Sequence, residues 1–231
     1  MFAHLHAHSW FSLGQGISSP EVLVRAAAER GFSALACTDT NGVYGAVEFQ
    51  RAAIEAGIRP ILGAHLVLGD EECVALAMDE RGWGAICRAI TGIHWQQRER
   101  STVNGQRECH SPAVQPSSRP AACLSAILAP DRQGALILSA SIPFLDRIVA
   151  LSGISDLFAE LVPGRERHAV LAAGRRLGVL PVVTNAVGFA HPEDHPRHRL
   201  LSAISANTSL SSLEIAGSPQ PPSRPAVQQP S

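Results

Sequence analysis

A chain of 231 residues with a formal charge of −1, a pI near 6.8 and 45% hydrophobic residues has room for one domain of barrel or doubly wound size, and exerts no global electrostatic pull toward nucleic acid. Its longest apolar runs, such as Gly134 to Ala140, fall far short of the ~18 residues of a membrane-spanning helix, and the N-terminus lacks a signal-peptide pattern, so a cytoplasmic protein with no membrane partner is expected. Cys37, Cys73, Cys87, Cys109 and Cys123 are odd in number, widely spaced and never in a CxxC pair, which argues against a disulfide framework or a thiolate zinc site and for reduced packing residues.

The first predicted element is AHLHAHS, Ala3 to Ser9. His4, His6 and His8 alternate within it, so on a regular strand all three imidazoles leave one face. Two imidazoles two residues apart on a strand can reach one ion, or two adjacent ions, and neutral imidazole suits zinc, manganese and iron. His6 and His8 are therefore candidate metal ligands, with His4 a weaker third. The competing reading is the polar face of an edge strand.

Ser19 then caps a helix, with Pro20 at its first position and Glu21 in its first turn, running to about Arg30 and stopped by Gly31. Phe32 to Thr38 reads as a short buried strand, and the polar residues Asp39, Thr40, Asn41 and Gly42 follow at its carboxyl end, where α/β folds collect functional groups. A helix over Tyr44 to Ala56 leads to a strand over Arg59 to Ala64, with His65 just past its end. A third unit joins an apolar run at Cys73 to Met78 to helical spacing over Gly82 to Ile93. Charged, Pro, Ser and Gln residues without an apolar period then mark a flexible insertion.

Order resumes with a strand over Gly134 to Ser139, helices across Phe144 to Val149 and Arg165 to Leu177, a strand at Val179 to Asn185, and a last helix over Arg197 to Ala206. His191, His195 and His198 lie in AHPEDHPRH, which reads as a polar loop and helix start rather than as a ligand set. The Pro-, Ser- and Gln-rich end cannot bury enough apolar area to offset the ~1–2 kcal/mol per residue of ordering entropy. The domain plan is thus 1–95 and 122–210 as two halves of one fold, an insertion at 96–121 and a disordered tail at 211–231.

HLHAHSWFSLGQG followed by ALACTDTNGVYGAVEFQRAAIEAGIRPILGAHL resembles the start of the PHP (polymerase and histidinol phosphatase) domain, in the version that opens bacterial DNA polymerase III alpha subunits, and within that group the error-prone alpha type. LILSASIPFLDRIVAL and LGVLPVVTNAVGFAHPEDHPRHRLLSAISANTSL resemble its end. The resemblance implies an α/β fold, a distorted (β/α)7 PHP barrel, whose strand ends hold up to three metal ions and hydrolyse phosphoesters. His6 and His8 match the family's HxH pair and Asp39 matches its second-motif acid. Thr40 stands where the family carries His, His65 where it carries Glu, Ser141 where Cys is common, and Ala186 and Gly188 where an Asp and a His stand two apart.

These departures leave one divalent ion, zinc or manganese, on His6, His8, Asp39 and His65. They argue against the three-metal cluster, because a bridging carboxylate would be needed to offset the repulsion of adjacent dications. The implied function is the N-terminal PHP domain of an error-prone alpha-type polymerase, ending before the polymerase palm, with a degenerate metal site and a structural or partner-binding role in DNA replication and repair. DNA or other polymerase domains and subunits are the implied partners. The alternative is a free-standing metal-dependent phosphoesterase of phosphatase or 3′–5′ exonuclease type.

Overall fold

In the computed structural model, which describes residues 2–104, 123–164 and 166–211, the first helix begins where the capping signal places it. Ser19 accepts a hydrogen bond from the Val22 amide and Pro20 opens α1 (Pro20–Glu29), which buries Leu23, Val24, Ala26 and Ala27. Next come β1 (Ala34–Cys37), α2 (Ala46–Glu55) and β2 (Arg59–Leu68). β1 and the first half of β2 pair in parallel, with Ala34 opposite Arg59, and form the βαβ unit read from the sequence.

β2 does not end at Ala64, as the sequence reading expects. It runs on to Leu68, turns at Gly69 and Asp70, and returns antiparallel as β3 (Glu71–Ala77), with His65 opposite Val74. A hairpin therefore interrupts the β/α repeat, and His65 lies inside a strand rather than past its end. Alternation along the hairpin sends Ala64, Leu66, Leu68, Cys73 and Ala75 toward the helices and leaves His65, Glu72 and Val74 for the opposite face. α3 (Glu80–Asn104) continues past Ile93 into the stretch read as an insertion. The rest of that stretch, and all of the expected tail but its first residue, lie outside the described residues.

The second half contains α4 (Leu124–Leu128), β4 (Ala135–Ser139), α5 (Ile142–Ser152), β5 (Leu157–Leu161), α6 (Arg167–Leu177), β6 (Leu180–Val183) and α7 (His195–Ser205). β5 is missing from the sequence reading, because a five-residue run interrupted by Glu160 shows neither alternation nor an unbroken apolar stretch.

The six strands form one sheet in the order β1-β2-β3-β4-β5-β6. Its two edges are joined by the N-terminal segment: His4 bridges to Leu35 on β1, and Ala7 bridges to Val187 just beyond β6. The curled sheet thereby closes into the expected distorted barrel. Inside it, Ala36, Val74, Leu76 and Leu138 pack with Leu5, Ile61, Leu136, Phe158 and Val182, a cluster drawn from strand residues and the closing segment, without a helix. Two further clusters fill the space between sheet and helices and contain the fully buried Phe49, Phe144, Ile86 and Ile93, each worth roughly 1.5–3 kcal/mol of transfer free energy. Apolar residues occupy the middle of the barrel. Among the described residues, no helix is long and apolar enough to cross a membrane, and Cys37, Cys73, Cys87 and Cys123 are free.

Candidate metal centre

The N-terminal segment is not a regular strand, and this corrects the expectation that His4, His6 and His8 share one face. The chain bends at Leu5 and His6 as it changes partner: the Ala36 amide donates to the His4 carbonyl, whereas the His8 amide donates to the Val187 carbonyl and the Val187 amide to His6. The bend breaks the two-residue period. His4 ends up edge-on to Phe2 and Phe32, at ring separations of 5.0 and 5.2 Å, and burial lowers its pKa. His6 and His8 instead turn into the barrel mouth, where β2 delivers His65. The three rings lie 4.8 to 5.3 Å apart, and one nitrogen from each falls within 4.8 Å of the others.

Groups behind the rings fix their tautomers. The Glu160 carboxylate accepts from His6 Nδ1 at 2.8 Å and from the Thr184 hydroxyl at 2.5 Å, so His6 turns its Nε2 inward. Ser12 Oγ donates its single proton to Asp39 Oδ1 at 2.8 Å and accepts from the Thr40 amide at 3.0 Å. Its remaining lone pair accepts from His8 Nδ1 at 3.0 Å, which leaves the Nε2 of a neutral His8 unprotonated. The two Nε2 atoms then face each other 2.9 Å apart. Two ring nitrogens held this close call for a cation shared between them, a proton or a metal ion, and His8 holds a proton poorly. Burial, then the charges that His6, His65 and His198 can carry, hold the His8 pKa down to about 2. His65 adds a buried Nδ1 with no hydrogen-bond partner, while its Nε2 lies 3.5 Å from Glu72 Oε2. That contact lowers the Glu72 pKa. The donor set of three imidazoles with a carboxylate alongside fits one divalent ion with a position left open.

Asp39 is placed one layer further back. Its oxygens accept from the Ser9 amide and hydroxyl, both at 2.7 Å, from Ser12 Oγ, and from Cys37 Sγ at 3.6 Å. It reaches His8 only through Ser12. Of the four residues read from the sequence, the structure thus brings His6, His8 and His65 together and uses Asp39 to hold the Ser9 to Ser12 turn. Sequence reasoning missed Glu160, Glu72 and Ser12. The one available signal was an acid at an inward position of LFAEL, and it required β5 to be recognised first. The rings open onto a cavity of about 480 Å³ whose walls include Glu72, Glu160, Ala186, Gly188 and His198.

The PHP domain family matches residues 4–139. An error-prone DNA polymerase from Symbiobacterium thermophilum is 36% identical over 235 residues, covering 90% of this chain and 21% of that protein. The chain therefore spans about a fifth of the length of this curated relative. Among solved structures, an amidohydrolase from Chromobacterium violaceum, with bound sulfate and no metal, aligns at a TM-score of 0.55 and 16% identity over 83% of this chain and 89% of the other. A two-domain protein from Bacteroides vulgatus, containing a predicted PHP-like metal-dependent phosphoesterase, aligns at 0.51 and 13% identity over 81% of this chain and 52% of the other. Those two likenesses are of fold. The family match runs through more than half of the residues, and by it this protein belongs to the PHP domain family.

Proposed function

We propose that this PHP domain holds one divalent cation, zinc or manganese, on His6, His8 and His65, that the site hydrolyses phosphoesters, and that the domain serves as the N-terminal module of an error-prone alpha-type DNA polymerase. The observation that carries the reading is the convergence of His6, His8 and His65, with one nitrogen from each within 4.8 Å of the others and the Nε2 atoms of His6 and His8 2.9 Å apart, a few tenths of an ångström inside the ~3.3–3.4 Å between two nitrogens on one tetrahedral zinc. A divalent ion supplies Lewis acidity toward a phosphoryl oxygen and lowers the pKa of a bound water. The chain's part is orientation and proton transfer. Glu160 and Thr184 aim His6, Ser12 and Asp39 aim His8, and Glu72 is a half-buried carboxylate beside His65, suited to accept a proton from water.

A three-ion cluster finds no support in the cavity wall, where Ala186 and Gly188 offer no donor atoms. The same two residues favour a second reading, in which an ion is kept for stability and the domain's role is structural or partner-binding. DNA or further polymerase domains are the partners under either reading, supported by the relative of which this chain covers 21%.

Elemental analysis of protein purified without chelator, paired with hydrolysis of bis-p-nitrophenyl phosphate and of a 3′-labelled DNA strand, tests both readings. About one ion per chain is expected, lost in His6→Ala, with turnover that needs zinc or manganese. An ion without turnover selects the structural reading. Less than about a tenth of an ion per chain would overturn the site itself.

A further inference from the structure

Each of α1 to α6 contributes side chains to the apolar clusters, among them Leu23 of α1, Phe49 of α2, Ile86 of α3, Leu124 of α4, Phe144 of α5 and Val170 of α6. α7 contributes none. Ala203 is its one buried residue, while Leu200 and Ile204 stand 50% and 67% exposed on the solvent side. The face turned to the barrel is polar instead. His198, Ser202 and Ser205 recur on it at i, i+4 and i+7, and the first two line the cavity onto which the three clustered histidines open. A helix that buries its apolar stripe is a fixed wall, whereas one whose stripe faces water has little to lose by lifting.

Two glycines seat that polar face. A Cβ at Gly188 would come 2.6 Å from His198 Nε2, and one at Gly14, where φ is +82°, would collide with the Ser205 side chain. Between these seats the His198 ring donates to the Gln15 carbonyl and rests 5.2 Å from the Phe189 ring. Gln15 is itself fixed to the rim, because its amide donates to the Ser12 carbonyl and its side chain accepts from Thr40 Oγ1 at 2.9 Å. The chain reaches α7 from a loop tied down by two bonds, from the Ile17 amide to the Gly188 carbonyl and from the Ala190 amide to Ser18 Oγ. Beyond α7, the amides of Ala206, Asn207 and Thr208 bond back to α7 itself. The helix is thus hinged at its N-terminal end, and His198 fastens it to the far rim.

We propose that α7 is a lid on this cavity, latched by His198, and that an ion reaches and leaves the three histidines when the latch releases and the helix lifts as a unit. The event is a local opening, not an unfolding of the barrel. The inference rests on the reading of the cavity as a metal centre, and adds its gate.

Hydrogen exchange of the metal-free full chain, followed by mass spectrometry, and release of zinc from the loaded chain to a chromogenic chelator test the assignment. Amides of α7 are expected to exchange well before those of α1. His198→Ala is expected to speed both α7 exchange and zinc release about tenfold, the effect of one lost hydrogen bond, with ion content and α1 exchange at the wild-type level. His198→Gln, which keeps a donor, falls between, and serves if the alanine variant does not fold. Ile204→Ser, on the solvent face, leaves both rates as they are. α7 amides as slow as those of α1, or unmoved by His198→Ala, overturn the lid. Zinc release that stays constant while α7 exchange accelerates overturns the gating. Loss of the ion from His198→Ala would make the ring a ligand, and overturns the latch. A wild-type chain that takes up no ion overturns the proposed function, while the exchange comparison decides the lid separately.

Discussion

Glu160 is buried and makes two short hydrogen bonds, to His6 Nδ1 and to Thr184, so a single carboxylate decides which nitrogen of His6 faces the barrel mouth. Replacing it with glutamine keeps the size but removes the charge and lets the amide present a donor, which frees the His6 ring to flip. Glu160→Gln is therefore expected to weaken zinc affinity by about 10–100-fold with little change in fold, as measured by competition with a chromogenic chelator. Equal affinity would show that the carboxylate does not orient the ring. Asp39→Asn tests the layer behind. Several donors converge on Asp39, and an amide can satisfy only part of them, so a loss of about 2 kcal/mol is expected in urea unfolding. The histidines were legible because HLHAHS and the residue after Ala64 announce themselves locally. Glu160 was not, since its role depends on a contact across 154 residues of sequence. His4 was misplaced for a related reason: strict alternation assumes one continuous ladder, and the segment changes partner midway.

At the level of elements, the β2–β3 hairpin places two adjacent acids on opposite sides of the sheet. Glu72 turns to the barrel mouth, whereas Glu71 is fully buried on the helix side and accepts from the Ser125 amide at 2.8 Å, from the Ser125 hydroxyl at 3.0 Å and from Arg147 Nη1 at 2.8 Å. Glu71 therefore pins the start of α4, where the described chain resumes, to β3. Glu71→Ala strands both Ser125 donors in an apolar setting, and a destabilisation of about 2 kcal/mol is expected, with the amides of α4 losing hydrogen-exchange protection first. Zinc affinity should change little, because the neighbouring Glu72 faces the other way. Uniform exchange throughout the chain would contradict the local tie. α1, β1 and α2 were readable because caps, glycine stops and apolar spacing agree there. β5 and the antiparallel return of β3 were not, since both follow from sheet pairing that no local signal encodes.

For the molecule as a whole, the lowered pKa of His8 makes metal-free stability depend on pH. The His8 pKa is about 2 in the folded chain against 6.5 as its ordinary value, so as pH falls the unfolded chain takes up the proton first. Its contribution is complete above about 6.5 and is lost below it, by up to about 1.4 kcal/mol per pH unit from this one group. The lowered pKa of Glu72 adds a further loss of the same sign below about 4.5. Melting temperatures in EDTA should fall between pH 7.5 and 5.5, and fall less steeply for His8→Asn. A flat profile for the wild type would show that His8 accepts a proton without unfolding. The barrel as a class was legible from motif order, but its closure was not, because residues 4–8 hold the two sheet edges together by pairing with Leu35 and Val187 rather than by any local pattern.

That closure bears on how the protein is made. During synthesis His6 and His8 emerge before the residues that seat them, with Glu160 154 residues after His6 and Val187 later still, so the centre cannot assemble until those strands have been made. Ion uptake during translation should accordingly report completion of the barrel rather than its beginning.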